Sequence, residues 1–303
     1  MHLSRLYNSI LRGQWMVSLA DVVSSKAILK DILAGGSKDY NDEILSDRKP
    51  LTYQLAGKKV KAETPSPSTP SEQIEKVAVI PLQGTMLKFG SYCSYGTTEI
   101  ASAIYEAAAN EDVVGIILDV DSGGGCVDAV APLLSAIKSV QAQGKPIYAL
   151  CDLCASAAYF VASACDKVYA DNTISAEFGS IGVMLSFMDY SKYYEDLGVK
   201  EHTVYSNLSS YKNAPFEAAK KGDYKAIKDE ELDPIARSFQ DNVKENRGDK
   251  LDLAAEGLLN GKMYFADEAE TVGLIDGVRT RQACIEEIRQ AHRDRMLQSY
   301  YNN

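Results

Sequence analysis

Short apolar runs alternate with longer mixed segments through the middle of the chain. Residues 77–82 (VAVIPL) and 113–120 (VVGIILDV) are almost wholly apolar, which is typical of strands buried on both faces of a sheet. The alanine-rich residues 97–110 between them predict a helix. A second helix is predicted over about 132–143, where Gly-Lys-Pro stops it before an apolar strand at 147–150. Strands and helices in turn predict parallel βαβ units.

Weaker patterns flank this central part. Apolar residues recur at helical spacing within residues 1–62, which predicts a small helical N-terminal region. Residues 63–74 carry prolines alternating with Ser and Thr and predict an extended linker. One α/β domain is then expected over 75–290, followed by a polar, frayed tail at 291–303. Further predicted elements are strands at 168–169, 181–185, 203–204 and 274–275 and a helix at 266–272.

Composition and charge narrow the classes of function. The 303 residues are 46% hydrophobic, enough for a substantial core, and the net charge of -10 repels phosphate groups. Nucleic acid and anionic lipid are therefore not expected as partners. The chain shows neither an apolar run of about 18 residues nor an apolar leader with a cleavage site. We expect no membrane anchor and a cytoplasmic location.

Six cysteines show no paired spacing that would predict disulfides or zinc. Cys151 and Cys154 form a C-x-x-C, but without a second ligand pair this is a weak metal signal. We predict buried free thiols, and neither a metal nor a cofactor.

Ser156 is the candidate nucleophile. It follows the strand at 147–150 at a turn into a segment of small residues that predicts a helix. A hydroxyl at a helix N-terminus lies near unsatisfied backbone N–H groups that favour developing negative charge. The amide of Ala157 would then meet the oxyanion of a tetrahedral intermediate. The alternative is that Ser156 only caps the helix, since serine is a preferred N-cap residue.

A glycine cluster, Asp121-Ser122-Gly123-Gly124-Gly125, follows the strand at 113–120. Glycines let backbone amides approach another group closely, as an oxyanion donor or anion cradle requires. A phosphate loop is excluded because Gly-Lys-Ser/Thr is absent, and the spacing is not that of a dinucleotide fingerprint. The alternative is a plain tight turn.

A nucleophilic serine needs a base, and histidine is poorly placed to supply it. His2 and His292 lie near the two ends of the chain, and His202 has no evident acidic partner. A Ser-Lys dyad with Lys212 is the natural alternative to a Ser-His-Asp triad. Such a lysine must be neutral, which requires burial or a positive neighbour. By itself, Lys212 would be an ordinary surface lysine.

Together these pieces resemble the signal peptide peptidase A family, peptidase family S49, which has the caseinolytic-protease (ClpP)/crotonase fold. The resemblance covers roughly residues 75–280, and it implies that fold: a repeated ββα superhelix with parallel sheets. The motifs that carry it, in chain order, are Asp121-Ser122 with its glycines, Ala155-Ser156 followed by Tyr159, Ala164-Cys165-Asp166-Lys167, Gly179-Ser180-Ile181-Gly182-Val183, Tyr211-Lys212-Asn213-Ala214, Gly261-Lys262-Met263-Tyr264 and Gly273-Leu274-Ile275-Asp276-Gly277.

The resemblance implies a serine endopeptidase with a role for each matched position. By position, Ser156 is the nucleophile, Lys212 the general base, Ser180 the residue that orients the lysine amine, and the amides of Ala157 and of Gly124 or Gly125 the oxyanion hole.

The sequence departs from the family at two places. Gly123 stands where the family usually has proline, which loosens the turn, and Ala157-Ala158 replace the usual glycine pair. Both changes keep the backbone donors. We therefore expect activity with a narrower pocket beside Ser156 and a small residue before the cut bond.

The layout of the chain resembles the phage-encoded branch of the family, whose members cut scaffold and head proteins. This implies polypeptide partners, a bacterial or phage-infected host cytoplasm, and self-cleavage that removes the N-terminal region. Domains of this fold associate through helical faces, so we also expect a homo-oligomeric ring with contacts from the apolar helices near 129–137 and 266–272. A general signal-peptide or peptide-degrading peptidase is an alternative. Two further alternatives share the fold, an acyl-CoA enzyme and a catalytically silent assembly protein.

Overall fold

The computed structural model describes residues 14–17, 51, 54–61, 72–90, 94–187, 189–200 and 202–301. Its strands are β1 (Gln14–Val17), β2 (Gln54–Lys61), β3 (Glu72–Gln83), β4 (Val113–Ser122), β5 (Gly124–Cys126), β6 (Ile147–Ala155), β7 (Lys167–Ala170), β8 (Glu177–Gly179), β9 (Met184–Leu185) and β10 (Met263–Phe265). Its α-helices are α1 (Thr97–Ala109), α2 (Val130–Ala142), α3 (Ala157–Ser163), α4 (Ser191–Asp196), α5 (Ala214–Lys220), α6 (Lys225–Ile227), α7 (Asp233–Arg247), α8 (Ala266–Thr271) and α9 (Arg281–Tyr301). Val127–Ala129 and Gly248–Lys250 are short 3-10 helices, and Lys228–Leu232 is a π-helical turn.

The strands form two sheets. The larger has the order β10-β8-β6-β4-β3-β2, with β7 pairing β6 on the same edge as β8. Its inner strands β3, β4, β6, β7 and β8 are parallel, while β2 and β10 are antiparallel additions at the two ends. The smaller sheet has the order β5-β1-β9. This mostly parallel α/β arrangement confirms the predicted ClpP/crotonase-like fold.

Both faces of the large sheet are covered, which explains why its central strands are apolar throughout. One face packs against α1, α2 and α3 in the main hydrophobic core. The other face packs against α9, whose buried side chains Cys284, Ile285 and Ile288 meet Ile117 and Tyr148 of the sheet.

Most of the predicted central elements are confirmed, with small extensions. The apolar runs became β3, β4 and β6, each longer than predicted, and the two intervening helices are α1 and α2. The turn at Ser156 into a helix of small residues is present as α3, and β7 and α8 lie where they were predicted.

The N-terminal region differs from the prediction. Its two described strands, β1 and β2, are extended, and the predicted helices between residues 3 and 33 lie outside the described residues. β2 pairs with β3 over eight residues and so belongs to the main sheet. Of the predicted linker, the last residues from Glu72 onward already belong to β3.

Of three further short apolar runs predicted as strands, one is confirmed only in part and two are wrong. Only Met184–Leu185 of the run 181–185 is a strand, and residues 203–204 are exposed irregular chain. Leu274 and Ile275 are buried, but they lie in a turn after α8. Apolar composition favoured a strand at each place, yet a strand forms only where a neighbouring strand offers backbone partners.

The prediction of a frayed tail from residue 291 was also wrong for most of its length, because α9 continues to Tyr301. Arg293 at this end donates to the Glu75 carboxylate at 2.9 Å. Arg289 donates to the Ala56 carbonyl at 2.9 Å, which ties the helix to the edge of the sheet. These long-range contacts hold a polar segment in place.

Candidate functional site

Ser156 lies between the last residue of β6 and the first residue of α3, in a conformation that few residues other than glycine adopt. Its φ is 55° and its ψ is -120°, and its residue surface is only 1% exposed. Its N–H donates to the Gly179 carbonyl at 2.8 Å, and its carbonyl accepts from the Phe160 N–H at 2.9 Å. Such backbone strain costs on the order of 1–3 kcal/mol and persists only where the surroundings hold it.

The helix that follows is fixed from several sides. All residues of α3 are buried, so its small side chains allow close packing within the core. The Tyr159 hydroxyl donates to the Leu274 carbonyl at 2.8 Å, and Phe160 stacks on Phe239 with ring centroids 4.6 Å apart. The Ala157 amide opens this helix, where no intrahelical acceptor is available to it. It is therefore a candidate donor to an oxyanion.

The glycine cluster lies beside Ser156 because it ends the neighbouring strand. β4 and β6 are parallel, and Ser122 is in register with Cys154. Parallel strands present their carboxyl ends at one edge of the sheet, which is where ligands bind in open α/β folds. The predicted nucleophile and the predicted glycine turn are thus brought to the same edge.

The glycines of this turn are required for different reasons. Gly124 has a φ of 98°, which favours glycine. A side chain on Gly125 would place its Cβ 2.0 Å from the Met86 carbonyl oxygen, so Gly125 is needed for close packing of β5 on residue 86. The alternative of a plain turn therefore explains part of the cluster.

Ser122 holds the turn in place, a role that the sequence did not indicate. Its buried hydroxyl donates to the Gly84 carbonyl at 2.6 Å and accepts from the Gly124 N–H at 3.2 Å. An oxyanion at Gly124 would have to replace the Ser122 oxygen as acceptor.

Ser180 directly follows Gly179, whose carbonyl accepts a hydrogen bond from the Ser156 N–H. Its φ is 52°, and its N–H donates to the Lys262 carbonyl at 3.0 Å. Gly179, which accepts from Ser156, has a φ of 127°, and a Cβ there would lie 2.3 Å from the same Lys262 oxygen. Pairing of Met263 with Gly179 therefore explains why two separate sequence motifs meet beside Ser156.

Lys212 shares no hydrogen bond or ion pair with Ser156 among the described residues. It is exposed in the segment between α4 and α5, and its N–H donates to the Ser209 carbonyl at 3.1 Å. Among the residues that the structure describes, no hydrogen bond or ion pair involves the Lys212 ammonium. The single chain thus does not join Lys212 to Ser156, and the dyad stays a prediction.

The described histidines share no hydrogen bond with Ser156 either. His202 is exposed in irregular chain, and His292 lies on α9, where burial lowers its pKa. His2 lies outside the described residues.

The cysteines agree with the prediction of buried thiols where they can be compared. Cys126, Cys151, Cys154, Cys165 and Cys284 are free and buried, whereas Cys93 lies outside the described residues. Burial raises the pKa of the Cys151 thiol well above its usual range. Over the described ranges, no group of three or more metal-ligating side chains occurs.

A buried charge cluster anchors the last motif and was not foreseen from the sequence. Asp276 accepts from Arg247 at 2.8 Å, from Lys250 at 2.6 Å and from the Val168 N–H at 2.8 Å. Burial by itself would raise the pKa of Asp276, but these hydrogen bonds outweigh it and bring the pKa to about 2. Arg247 also donates to the Gly273 carbonyl at 3.0 Å.

Three non-glycine residues have positive φ among the described residues, and each belongs to a sequence motif already noted. They are Ser156, Ser180 and Asn213, which follows Lys212 directly. Unfavourable backbone conformations cluster at active sites and ligand clamps. The positions of positive φ therefore coincide with positions of the sequence motifs.

Comparison with known proteins shows which family the chain resembles. Residues 139–294, just over half of the chain, match the model of peptidase family S49. The chain is 30% identical to the head-tail preconnector protein GP5 of Enterobacteria phage P21, over 59% of this chain and 36% of that protein. It is 25% identical to the capsid assembly protease C of Escherichia phage lambda, over 90% of this chain and 58% of that protein. It is 27% identical to a chloroplastic serine protease SPPA of Arabidopsis thaliana, over 67% of this chain and 30% of that protein.

These relatives are longer than the region that they share with this chain. The shared region spans between about three-tenths and six-tenths of their length. Within the described part of the chain, no helix has both the length and the apolar character needed to cross a membrane.

Proposed function

Since the chain belongs to peptidase family S49, we propose that it is a serine endopeptidase in which Ser156 is the nucleophile and Lys212 the general base. The observation that carries the proposal is the strained, buried backbone of Ser156 at the start of α3. A serine that served only as an N-cap would need no such conformation, because N-cap residues normally have extended backbone angles.

The proposed reaction passes through an acyl-enzyme. The Ser156 Oγ attacks the scissile carbonyl carbon, and the neutral Lys212 amine takes the hydroxyl proton. The oxyanion accepts hydrogen bonds from the Ala157 amide and from Gly124 or Gly125, and Lys212 returns its proton to the leaving amine. Lys212 then takes a proton from a water molecule that attacks the ester carbonyl. It returns this proton to the Ser156 Oγ as the bond from Oγ to the acyl carbon breaks and the carboxylic acid product leaves. Ser180, one residue from the Gly179 contact, orients the Lys212 amine.

The exposure of Lys212 supports an active site that is completed on assembly. A lysine acts as a base only when its amine is neutral, and burial favours the neutral form. The segment around Lys212 exposes several large apolar side chains, among them Val204 and Leu208, which are 91% and 97% exposed. We propose that these side chains are covered in a homo-oligomeric ring, which brings Lys212 to a Ser156 hydroxyl.

The proposed substrate is an extended polypeptide with a small residue before the cut bond. Ala155, Ala157 and Ala158 surround Ser156 and are fully buried, so they leave little room for a large side chain. The lambda relative is named a capsid assembly protease. On that likeness we propose phage scaffold or capsid proteins as substrates, with general peptide degradation as the alternative.

An active-site probe tests the nucleophile directly. A fluorophosphonate should modify Ser156 and no other serine, as located by peptide mass spectrometry. Ser156→Ala should abolish labelling, whereas Ser163→Ala should leave it intact. Ser163 is the matched control, because it is equally buried and is the last residue of α3, the helix that Ser156 precedes. If Ser156 stays unmodified in the assembled protein, the chain is a silent assembly protein on a peptidase fold.

The base is tested by substitution and casein hydrolysis. Lys212→Arg should be inactive, because a guanidinium does not release its proton in the accessible pH range. Lys212→Ala should lose activity without losing stability, since the side chain is exposed. Near-normal turnover by Lys212→Arg would refute the dyad and leave His202 as the next base to test.

A further inference from the structure

The strand β1 occupies the middle of the small sheet, although it comes from a distant part of the chain. It runs antiparallel to β5, with Met16 opposite Gly125 and Val17 opposite Gly124. On its other side it runs antiparallel to β9, with Trp15 opposite Met184. In the order β5-β1-β9 the two outer strands do not pair with each other. They therefore form the two sides of a cleft that β1 fills.

The hydrogen bonds of β5 show which of its groups face this cleft. The Gly124 carbonyl accepts from the Met86 N–H at 2.8 Å, and the Cys126 N–H donates to the Met86 carbonyl at 2.9 Å. Backbone groups of successive strand residues point to opposite sides. The N–H and carbonyl of Gly125 thus point away from Met86 and toward Met16. This is one of the amides proposed for the oxyanion hole.

Both sides of the cleft also adjoin the nucleophile. β5 follows the Ser122 turn at the end of the strand next to β6. β9 follows the segment that begins at Gly179, whose carbonyl accepts from the Ser156 N–H. β1 runs from the Leu185 side toward Gly124, so it approaches the glycine turn as it proceeds.

We propose that Gln14–Val17 is a built-in inhibitory strand that occupies the cleft in which an extended peptide substrate binds. The inference rests on the proposed peptidase function. Strand addition uses backbone N–H and carbonyl groups that every peptide carries, so substrate and β1 compete for the same partners. A substrate peptide therefore binds antiparallel to β5, and it does so only after β1 has left.

The short pairing makes such a release feasible. β1 pairs through three residues with β5 and two with β9, whereas β2 pairs with β3 through eight residues. Segments with few hydrogen bonds and few buried contacts open at lower free energy than the core. In the resting protein β1 therefore blocks the cleft, and its release reopens the cleft for substrate.

The test separates release of the strand from catalysis by using the full chain with Ser156→Ala. Met16→Pro removes the N–H that faces Gly125, and Met16→Ala is the matched control that keeps it. Hydrogen exchange at Gly125 should be at least about tenfold faster in the proline variant than in the alanine variant. Replacing Gln14–Val17 by four glycines gives a second variant, should Met16→Pro fail to fold.

Peptide binding supplies the second measurement. A fluorescein-labelled peptide with the sequence of residues 10–21 (ILRGQWMVSLAD) is titrated by fluorescence polarisation. It should bind the proline variant at least about tenfold more tightly than the alanine variant, because apparent affinity falls with the fraction of open cleft. Equal exchange at Gly125, equal peptide affinity, or no binding in either variant would overturn the proposal.

Activity distinguishes this proposal from the peptidase function itself. With Ser156 restored, Met16→Pro should hydrolyse unfolded casein at least about fivefold faster than Met16→Ala. If the peptide measurements succeed and neither variant hydrolyses casein, the inhibitory strand stands and the proposed catalysis fails. If both hydrolyse casein equally, the catalysis stands and the inhibitory strand is refuted.

Discussion

At the scale of single residues, Ser156 is one of three described non-glycine residues with positive φ, and it is the candidate nucleophile. A serine with φ of 55° and ψ of -120° carries a Cβ in a region that suits glycine, and the fully buried α3 holds it there. This strain is separate from the hydroxyl, so stability and chemistry can be tested apart.

Ser156→Gly should be more stable than Ser156→Ala by about 1 kcal/mol, because both lack the hydroxyl and only glycine relieves the strain. Urea unfolding monitored by circular dichroism measures the difference. At Ser163, which has helical geometry, the order should reverse, with glycine less stable than alanine. An alanine variant as stable as the glycine variant at position 156 would contradict the account.

Ionisation of Asp276 contributes to stability at acid pH. Its pKa is about 2 in the folded chain and about 3.9 in an unfolded one. A depressed pKa stabilises the fold above the unfolded value, and the stabilisation is lost as the pH falls from about 4 to about 2. The shift corresponds to about 2–3 kcal/mol.

Asp276→Asn should remove this part of the acid dependence between pH 5 and pH 2, measured by the urea midpoint. At pH 7 it should be destabilising by about 3–5 kcal/mol, because Arg247 would keep a buried charge with a weakened partner. The exposed Asp241→Asn controls for the lost negative charge. Unchanged acid sensitivity in Asp276→Asn would show that other groups dominate.

At the scale of elements, β5 is where packing and chemistry meet. Its residues lie against Met86 on one side and β1 on the other, so the strand tolerates no extra atoms at Gly125. The glycine turn is thus a packed junction between the two sheets.

Gly125→Ala should destabilise the fold by about 1–3 kcal/mol, because the new Cβ would overlap the Met86 carbonyl. Gly182→Ala is the matched control, since nothing lies within 4 Å of its added Cβ. Thermal unfolding of the two variants measures the difference. Equal stability would mean that β5 moves away from Met86 at little cost.

At the scale of the whole molecule, the described residues between 186 and 232 are more exposed than the described central part of the chain. α4 in this segment has no buried residue, whereas α1, α2 and α3 are largely buried. Exposed apolar side chains grouped in this way mark an interaction surface.

We expect a homo-oligomer, so light scattering should report a mass well above 33.1 kDa at micromolar concentration. Val204→Lys with Leu208→Lys should shift the protein toward monomer. Ile174→Lys, on an equally exposed side chain outside the segment, should not. A wild-type monomer would refute the ring.

Mixing inactive variants tests where Lys212 acts. The Ser156→Ala and Lys212→Ala variants are mixed, unfolded and refolded together. If Lys212 serves the Ser156 of a neighbouring subunit, the mixture should regain up to about one quarter of the wild-type rate. Random pairing joins an intact Ser156 to an intact Lys212 at one interface in four. No recovery, with assembly intact, would place both residues in one subunit.

The sequence by itself determined the central elements, and it supplied the candidate positions for the chemistry. Buried strands such as β4 and helices such as α1 follow from local hydrophobic spacing, which needs no partner to be recognised. The motif around Ser156 predicted a strand, a turn and a helix of small residues, and the structure has them. The peptidase family followed from the same motifs.

Only the tertiary structure decided which distant segments pair. The strand character of β1, the place of β2 in the main sheet and the ordered end of α9 depend on partners far away in the sequence. The same holds for the Ser122 hydroxyl at Gly84 and the Arg247 charge at Asp276. Local sequence patterns do not predict such contacts, because backbone pairing and charge burial depend on which distant residues lie next to each other in the folded chain.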